Sequence, residues 1–444
     1  MAASLIQRFL DQPILERGIS NPTFVNGRIL TAQDLTDLQT ADQAQHAQLG
    51  QALGDGVAWG LEAALVADGS DGQAPVVRLS PGLAINRLGQ AIALSVGTDI
   101  ALAAKPPPTP TGTGLFDACK PPGASSLPLG PSVLLLVASP GSGYREKAPV
   151  LGFNDGTVSG CGDRYAVEGV RLRTEELKLS ALAGLRSTTL DALTALTARD
   201  DNASLSQLRN WLAHVCFGTE ELAEMLRDPF VASDGRYGAI DALRAAGSLS
   251  DCEVPLALIY WTRKGVRFLD QWAVRRRLTR RPAATDWPLV PNDRQASEGE
   301  AMLLQFQDQI EAILGDPTET PTLIRASERF VYLPPVGMIA LMSGTSARGF
   351  HPDLFFEGIV HRPIAYLEGA RLGMLLRMGL SCPAQALASG VMVWVYRVRE
   401  SADPKATPAG KPGPHPYLVF GSGHLPYLGD PHFDVNRWDY SNWA

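Results

Sequence analysis

Ser204-Leu205-Ser206-Gln207-Leu208-Arg209-Asn210-Trp211-Leu212-Ala213-His214-Val215 places its apolar side chains at 205, 208, 211, 212 and 215, the three-and-four spacing of one helix face. Ser204 with Gln207 three residues on is a capping-box pattern, so a helix is expected to start there. The whole stretch from Glu175 to about Gly247 reads as helical. On both sides of it the pattern turns to strand. Upstream, Val133 to Ala138 is a continuous apolar run of buried-strand type. Val167 to Thr174 alternates, which puts Val170 and Leu172 on one face and points Arg171 and Arg173 away. Downstream, Val254 to Trp261 and Val266 to Leu269 form a strand pair around Lys264-Gly265. A helical segment set between strands predicts an α+β chain.

Toward the N-terminus, Thr31 to Leu53 is expected as a helix, with Thr31 as cap, Asp34 three residues on, and Leu35, Leu38, Leu49 and Leu53 near helical spacing. Its middle, with Asp42, Gln43, Gln45, His46 and Gln48, suits a wet face or an interhelical seam. Val76 to Leu79, Gly82 to Ile85 and Ala91 to Leu94 are short apolar runs broken by Pro81-Gly82 and Leu88-Gly89, the pattern of a small antiparallel meander. Prolines crowd the stretch Lys105 to Pro131, which is read as an exposed loop. Toward the C-terminus, a helix is expected from about Glu298 to Leu314, carrying Met302, Leu303, Phe306, Ile310 and Ile313. Strands near Phe330 to Leu333 and Met338 to Leu341 precede a helix around Tyr366 to Leu380. Val391 to Arg399 is apolar on both faces, as a central strand requires. The expected organisation is a β-rich N-terminal domain at 1–174 with a Pro-rich loop at 105–131, and a helical middle segment at 175–250. A mixed C-terminal domain follows at 251–402, and an aromatic docking tail at 403–444.

Composition narrows the function classes. The chain has 444 residues, 45% hydrophobic and 19% charged, with Gly 43 and Pro 33, enough apolar material for packed cores and many turns. A net charge of -7 disfavours nucleic acid as a partner of the whole chain. No run approaches the roughly 18 consecutive apolar residues that a membrane span needs, and the opening residues lack an export signal, so a cytoplasmic protein without membrane insertion is expected. The five cysteines are scattered with no CxxC pair and read as buried free thiols.

Candidate chemistry is sparse. Ser142 and Ser422 sit in Gly-Ser-Gly triplets that do not complete a nucleophile elbow. Neither a P-loop nor a dinucleotide fingerprint occurs. His415, His424 and His432 lie near Asp430 and Asp434 without metal-ligand spacing, so no metal and no cofactor are expected. Asp353 and Glu357 near His351 could serve as an acid-base pair, but Phe350-His351-Pro352-Asp353 fits a turn that leads Leu354, Phe355 and Phe356 into the core. The sharpest charge cluster is Arg275, Arg276, Arg277, Arg280 and Arg281 after Trp272, a protein-interface pattern more than a phosphate grip. Trp438, Tyr440 and Trp443 offer docking or stacking surfaces at the C-terminal end.

Several phrases taken in order carry a family resemblance. Phe24-Val25-Asn26-Gly27-Arg28-Ile29-Leu30-Thr31-Ala32-Gln33-Asp34-Leu35, a glutamine-rich helix, Val57-Ala58-Trp59-Gly60-Leu61-Glu62, Pro81-Gly82-Leu83-Ala84-Ile85 and Gly89-Gln90-Ala91-Ile92 resemble the opening of baseplate-associated proteins of phage-tail-like contractile injection systems. The layout is similar to the type VI secretion baseplate adaptor of the TssK kind. Trp211-Leu212-Ala213-His214, Val254-Pro255-Leu256-Ala257-Leu258 and Trp272-Ala273-Val274-Arg275-Arg276-Arg277 resemble the same group. The Pro-rich loop and the long aromatic tail depart from it. The resemblance implies a non-catalytic structural or adaptor subunit that acts in the cytoplasm within an assembled particle. Its implied partners are other baseplate or tail subunits and further copies of itself, in a trimer as in that group. Two other classes stand beside it: a glycan-binding tail-fibre or receptor-binding component using Trp438, Tyr440 and Trp443, and a glycan hydrolase using Asp353 and Glu357.

Overall fold

Burial of the run at 133–138 on both of its faces organises the molecule. A computed structural model of the chain describes residues 15–67, 74–102, 119, 131–150, 160–182, 185–227, 236–280, 292–342, 349–360, 364–390, 392–402 and 416–429. The chain is α+β. It opens with α1 (Ala32–Leu53), β1 (Gly56–Gly60), β2 (Ala63–Ala67), β3 (Val76–Leu79), β4 (Gly82–Ile85), β5 (Ala91–Leu94) and β6 (Thr98–Ala101). Two long strands, β7 (Ser132–Val150) and β8 (Gly160–Glu176), lead into the helices α2 (Ser187–Thr197), α3 (Asn202–Phe217), α4 (Thr219–Arg227) and α5 (Gly238–Ala245). β9 (Val254–Thr262) and β10 (Gly265–Asp270) follow, then α6 (Asp293–Gly315), α7 (Ala326–Arg329), β11 (Tyr332–Leu333) and β12 (Val336–Ala340). The last elements are α8 (Pro352–Phe355), β13 (Ala365–Leu367), α9 (Gly369–Gly379), β14 (Gln385–Ala386), β15 (Val393–Val398) and β16 (Tyr417–Ser422).

The central sheet has the order β10-β9-β7-β8, with every neighbour antiparallel. Successive side chains of β7 point to opposite faces. Leu134, Leu136 and Ala138 pack with Leu256 and Ile259 against Val77, Leu79 and Ile92 of the N-terminal strands. Val133, Leu135 and Val137 pack with Leu258 and Tyr260 against Leu208, Leu212 and Phe217 of α3. Both faces are covered, so an uninterrupted apolar run is required there. The same geometry corrects the expectation for Arg173. Its face lies under the helical layer, so Arg173 is buried and donates to Glu253 at 2.5 and 2.8 Å. α3 also begins earlier than Ser204: Asp201 is the cap, its carboxylate accepting from the Ser204 amide at 2.8 Å.

The N-terminal strands occupy 76–79, 82–85 and 91–94 but are not one meander. β4 lies between β1 and β5, whereas β3 lies between β2 and β6 in a second sheet. The chain changes sheet at two adjacent points. At Gly60 and Leu61 the backbone is left-handed, with φ of 59° and 55°, and the Leu61 amide donates to the Pro81 carbonyl at 3.1 Å where β3 gives way to β4. A Cβ on Gly60 would stand 1.9 Å from that carbonyl oxygen, so only glycine fits the crossing.

α6 joins the two halves of the molecule. It starts at Asp293 under an Asn292–Gln295 capping box, five residues before the expected Glu298. Ala301 and Met302 enter the helical core, while Phe306, Ile310 and Ile313 enter the C-terminal one. Here the sheet order is β12-β16-β15-β13, antiparallel except for the parallel pair β13–β15. Residues 393–398 of the run 391–399 thus form an interior strand, as its two-sided apolar pattern predicts. Residues 417–422, expected within a docking tail, form an interior strand between β12 and β15. The helix expected from Tyr366 begins only at Gly369, because residues 365–367 pair with β15.

Two cysteines overturn the free-thiol expectation. Cys119 and Cys252, 133 positions apart, form a disulfide with a Cα–Cα distance of 5.5 Å. Cys216 and Cys382 are free. Apart from Cys119 and Pro131, the Pro-rich stretch 105–131 lies outside the described residues.

Candidate assembly surface

α1 is well capped and poorly covered. The Asp34 amide donates to Thr31 Oγ1 at 3.2 Å, and the Thr31 amide returns a bond to Asp34 Oδ2 at 2.9 Å. The Thr31 hydroxyl, donating to Asp34 Oδ2 at 2.6 Å, and the Thr31 amide, with the Arg28 guanidinium beside them, hold the Asp34 carboxyl below its ordinary range. At its other end the helix sits on the β4–β5 turn, where Gln51 Nε2 donates to the Leu88 carbonyl at 3.1 Å and Gly50 meets Gly89. Only Asp34, Ala41 and Gly50 of its 22 residues are buried.

The exposed side chains of α1 have a phase. Leu35, Leu38, Asp42, Gln45, Leu49 and Ala52 follow alternating steps of three and four, the seam positions of a heptad repeat. Leu35, Leu38 and Leu49 are 49%, 40% and 65% exposed. Asp42 and Gln45 form a polar layer between the leucines, and Asp42 reaches His46 at 3.4 Å. Just upstream, Phe24, Val25, Ile29 and Leu30 are also exposed. The leucine spacing was visible in the sequence, and heptad phase is the signal that sharpens an unspecified polar seam into a directional surface.

A second projection comes from the central sheet. β7 and β8 stay paired beyond the core, and residues 143–147 and 163–169 are exposed on both faces of this ribbon. Tyr144, Tyr165 and Val167 stand out from it, and Lys147–Asp163 and Arg164–Glu146 ion pairs bridge its strands. Periodicity at 133–138 and 167–174 marks two strands, but not their continuation into an arm.

The arginine cluster after Trp272 lies largely inside the chain. Arg275 is 8% exposed and donates to the carbonyls of Leu61 at 2.8 Å and Gly60 at 2.5 Å, with its guanidinium 5.6 Å from the half-buried Trp272 ring. It thereby clamps the sheet crossing described above. Arg276 donates to the carbonyls of Trp272, Ala273 and Arg275 and lies 4.4 Å over the Phe217 ring. Arg277 pairs with Glu300 at 3.2 Å and bridges to Val57, while Arg280 is exposed. Trp438, Tyr440, Trp443 and Arg281 lie outside the described residues.

The other candidates are dispersed. His351 caps α8, Asp353 is exposed, and Glu357 accepts from Arg325 Nε at 2.5 Å on the surface, while Phe355 and Phe356 fill the core. Ser142 lies on the arm, and Ser422 is buried with its hydroxyl accepting from the His424 amide at 3.3 Å. His415, His432, Asp430 and Asp434 lie outside the described residues. No group of three His, Cys, Asp or Glu side chains placed to hold a metal occurs among the described residues. No described helix is long and apolar enough to cross a membrane.

The fold and its exposed elements define an α+β chain with two projecting surfaces, a heptad-phased helix and a β-ribbon. No protein-family model matches the chain, and no curated protein matches it. Among solved structures, one described as "Crystal structure of TssK" aligns over 92% of this chain and 93% of that chain, at 13% identity and a TM-score of 0.21.

Proposed function

We propose that this chain is a non-catalytic structural subunit that works by assembly, binding copies of itself through α1 and companion subunits through its projecting surfaces. The observation that carries this reading is the exposure of α1. Isolated helices are marginal in water, and most helical stability in proteins comes from packing an apolar face. A 22-residue helix with three buried residues and an exposed leucine seam has its natural partner in another helix of the same kind. The β-ribbon supports the same reading, since a two-stranded hairpin gains stability from a third element against it.

The setting we propose is a baseplate-type particle of a contractile injection system, in the cytoplasm. This rests on the ordered sequence phrases from Phe24 to Ile92 and their resemblance to adaptors of the TssK kind. A trimer is the assembly that resemblance suggests. The domain limits near 174, 250 and 402 belong to the same proposal, although β7 and β9, from opposite sides of the helical segment, share a sheet.

Light scattering of the full chain at micromolar concentration tests the reading. The expected result is a homo-oligomer. A monomer that also retains no companion subunit in a pull-down would refute it.

A further inference from the structure

A cavity of about 120 Å³ opens where the N-terminal strands, the helical layer and the first turns of α6 meet. Five guanidinium groups line it, from Arg87, Arg244, Arg276, Arg280 and Arg294. The lining carboxylates are those of Asp55, Asp241 and Glu298, and Asp251, 3.5 Å from Arg244 and 3.9 Å from Arg87, adds a fourth just outside, which leaves the five arginines one positive charge in excess. All three lining carboxylates are engaged by the same two arginines. Arg87 reaches Asp241 at 2.8 Å and Asp55 at 3.4 Å, and Arg294 reaches Asp241 at 2.8 Å and Glu298 at 2.9 Å.

Among the described residues, no lining carboxylate forms a direct ion pair with Arg244 or Arg276, although Asp55, Asp241 and Glu298 attract them from farther off. Arg276 donates to carbonyl oxygens of its own turn and lies over the face of Phe217. Arg244 donates to the carbonyls of Ser250 and Glu253 and lies 3.5 Å from Asp251, and its buried Nε has no partner among the described residues. Arg280 is exposed at the rim. A second buried donor, the hydroxyl of Ser297, on a residue only 2% exposed, also lacks a partner among the described residues. Burial, with Arg87 adding to it, pushes Arg244 down to about 10, and burial lowers Arg276 as well. Such crowding of like charge in a partly closed space is relieved by an anion.

We propose that this cavity binds a small tetrahedral dianion, inorganic phosphate or the phosphate group of a monoester. The arginines outnumber the carboxylates around the cavity, and guanidinium forks pair with phosphate oxygens through charge-assisted hydrogen bonds. Ser297 and Arg244, both lining residues, carry further donors, the Ser297 hydroxyl and Arg244 Nε, that have no partner among the described residues. Because the lining residues run from Asp55 to Glu298, the ligand ties the N-terminal strands to the helical layer and to α6. It therefore stabilises the folded chain by mass action. This inference does not depend on the assembly reading.

Titration calorimetry of the full chain with inorganic phosphate, at an ionic strength held constant with chloride, tests it together with thermal unfolding. One saturable site and a Tm that rises with phosphate are expected. Arg280→Glu places a negative charge at an exposed position and weakens binding by about tenfold or more, with the unliganded Tm unchanged. Ser297→Ala, which removes only a buried hydroxyl without a partner among the described residues, is the second variant and also weakens binding. A sugar monophosphate that binds more tightly than inorganic phosphate identifies the ester as the ligand, and equal affinity identifies the free ion. Absence of saturable binding at millimolar phosphate, or an affinity unchanged in both variants, overturns the proposal.

Discussion

Gly50 of α1 lies against the Gly89 carbonyl so closely that a Cβ on Gly50 would stand 2.1 Å from that oxygen. The contact is reciprocal: a Cβ on Gly89 would stand 1.9 Å from the Ala47 carbonyl oxygen, and Gly89 itself has a φ of +79°. In an exposed helix, Gly→Ala stabilises by about 1 kcal/mol. Gly50→Ala is expected to do the reverse, because overpacking against backbone costs about 1–3 kcal/mol and the β4–β5 turn cannot yield as a side chain would. The urea unfolding midpoint should fall. A raised midpoint would mean that α1 does not rest on this turn.

Asp270 is fully buried at the end of β10, where it accepts from Arg209 Nε at 2.8 Å, Gln305 Nε2 at 3.1 Å and the Ala273 amide at 3.0 Å. The three bonds join α3, α6 and the turn after β10. Arg209→Met leaves a buried carboxylate without its cation and should cost about 3–5 kcal/mol. The double variant Arg209→Met/Asp270→Leu removes both charges and should recover much of that loss. Chemical denaturation of the single and double variants measures the coupling. Strictly additive losses would contradict a paired origin.

His214 is buried in α3, its ring stacked 4.5 Å from Tyr332 and its Nδ1 2.9 Å from Thr219 Oγ1. Burial, with Arg276 nearby adding to it, pushes the imidazole down to about 3. In the unfolded chain a histidine titrates near 6.5, so between these values the unfolded state binds one more proton than the folded state. Stability from this group is therefore complete above pH ~6.5 and is lost as pH falls from there toward ~3, at up to about 1.4 kcal/mol per pH unit. His214→Gln should flatten that slope in urea unfolding curves taken from neutrality downward. An unaltered slope would assign the acid sensitivity to other groups.

Local pattern made most element positions readable in the sequence, and long-range pairing hid what they build. The runs at 76–79, 82–85 and 91–94 appear as strands because alternation and flanking turns are local signals. Their split into two sheets depends on the left-handed crossing at Gly60 and Leu61, which no local pattern announces. Arg173 looks solvent-facing until Glu253, 80 residues away, arrives beside it. The Cys119–Cys252 bond joins positions too distant for spacing to suggest. The arginine run drew attention for its charge, yet Arg275 acts as an internal clamp on Leu61 and Gly60, a partner set that exists only after folding. The α1 surface is the part most open to sequence reading, because helix phase is short-range.

Asp42 occupies an inner seam position of α1, between Leu38 and Leu49. If α1 packs against copies of itself, this carboxylate and the neighbouring Gln45 sit in the contact, where a polar seam residue selects register and helix number at a cost in stability. Asp42→Leu should then tighten association and shift the oligomer toward other sizes. Leu49→Asp has the opposite effect. Leu49 is 65% exposed in the single chain, so the change disturbs little packing within one subunit while introducing a charge into the seam. Sedimentation equilibrium is expected to show Leu49→Asp dissociating at concentrations where the native chain remains associated. Circular dichroism of the dissociated form should show a loss of helix from α1, since the 22-residue segment would then lack the packing that holds it. If both variants sediment as the native chain does, self-association does not run through α1.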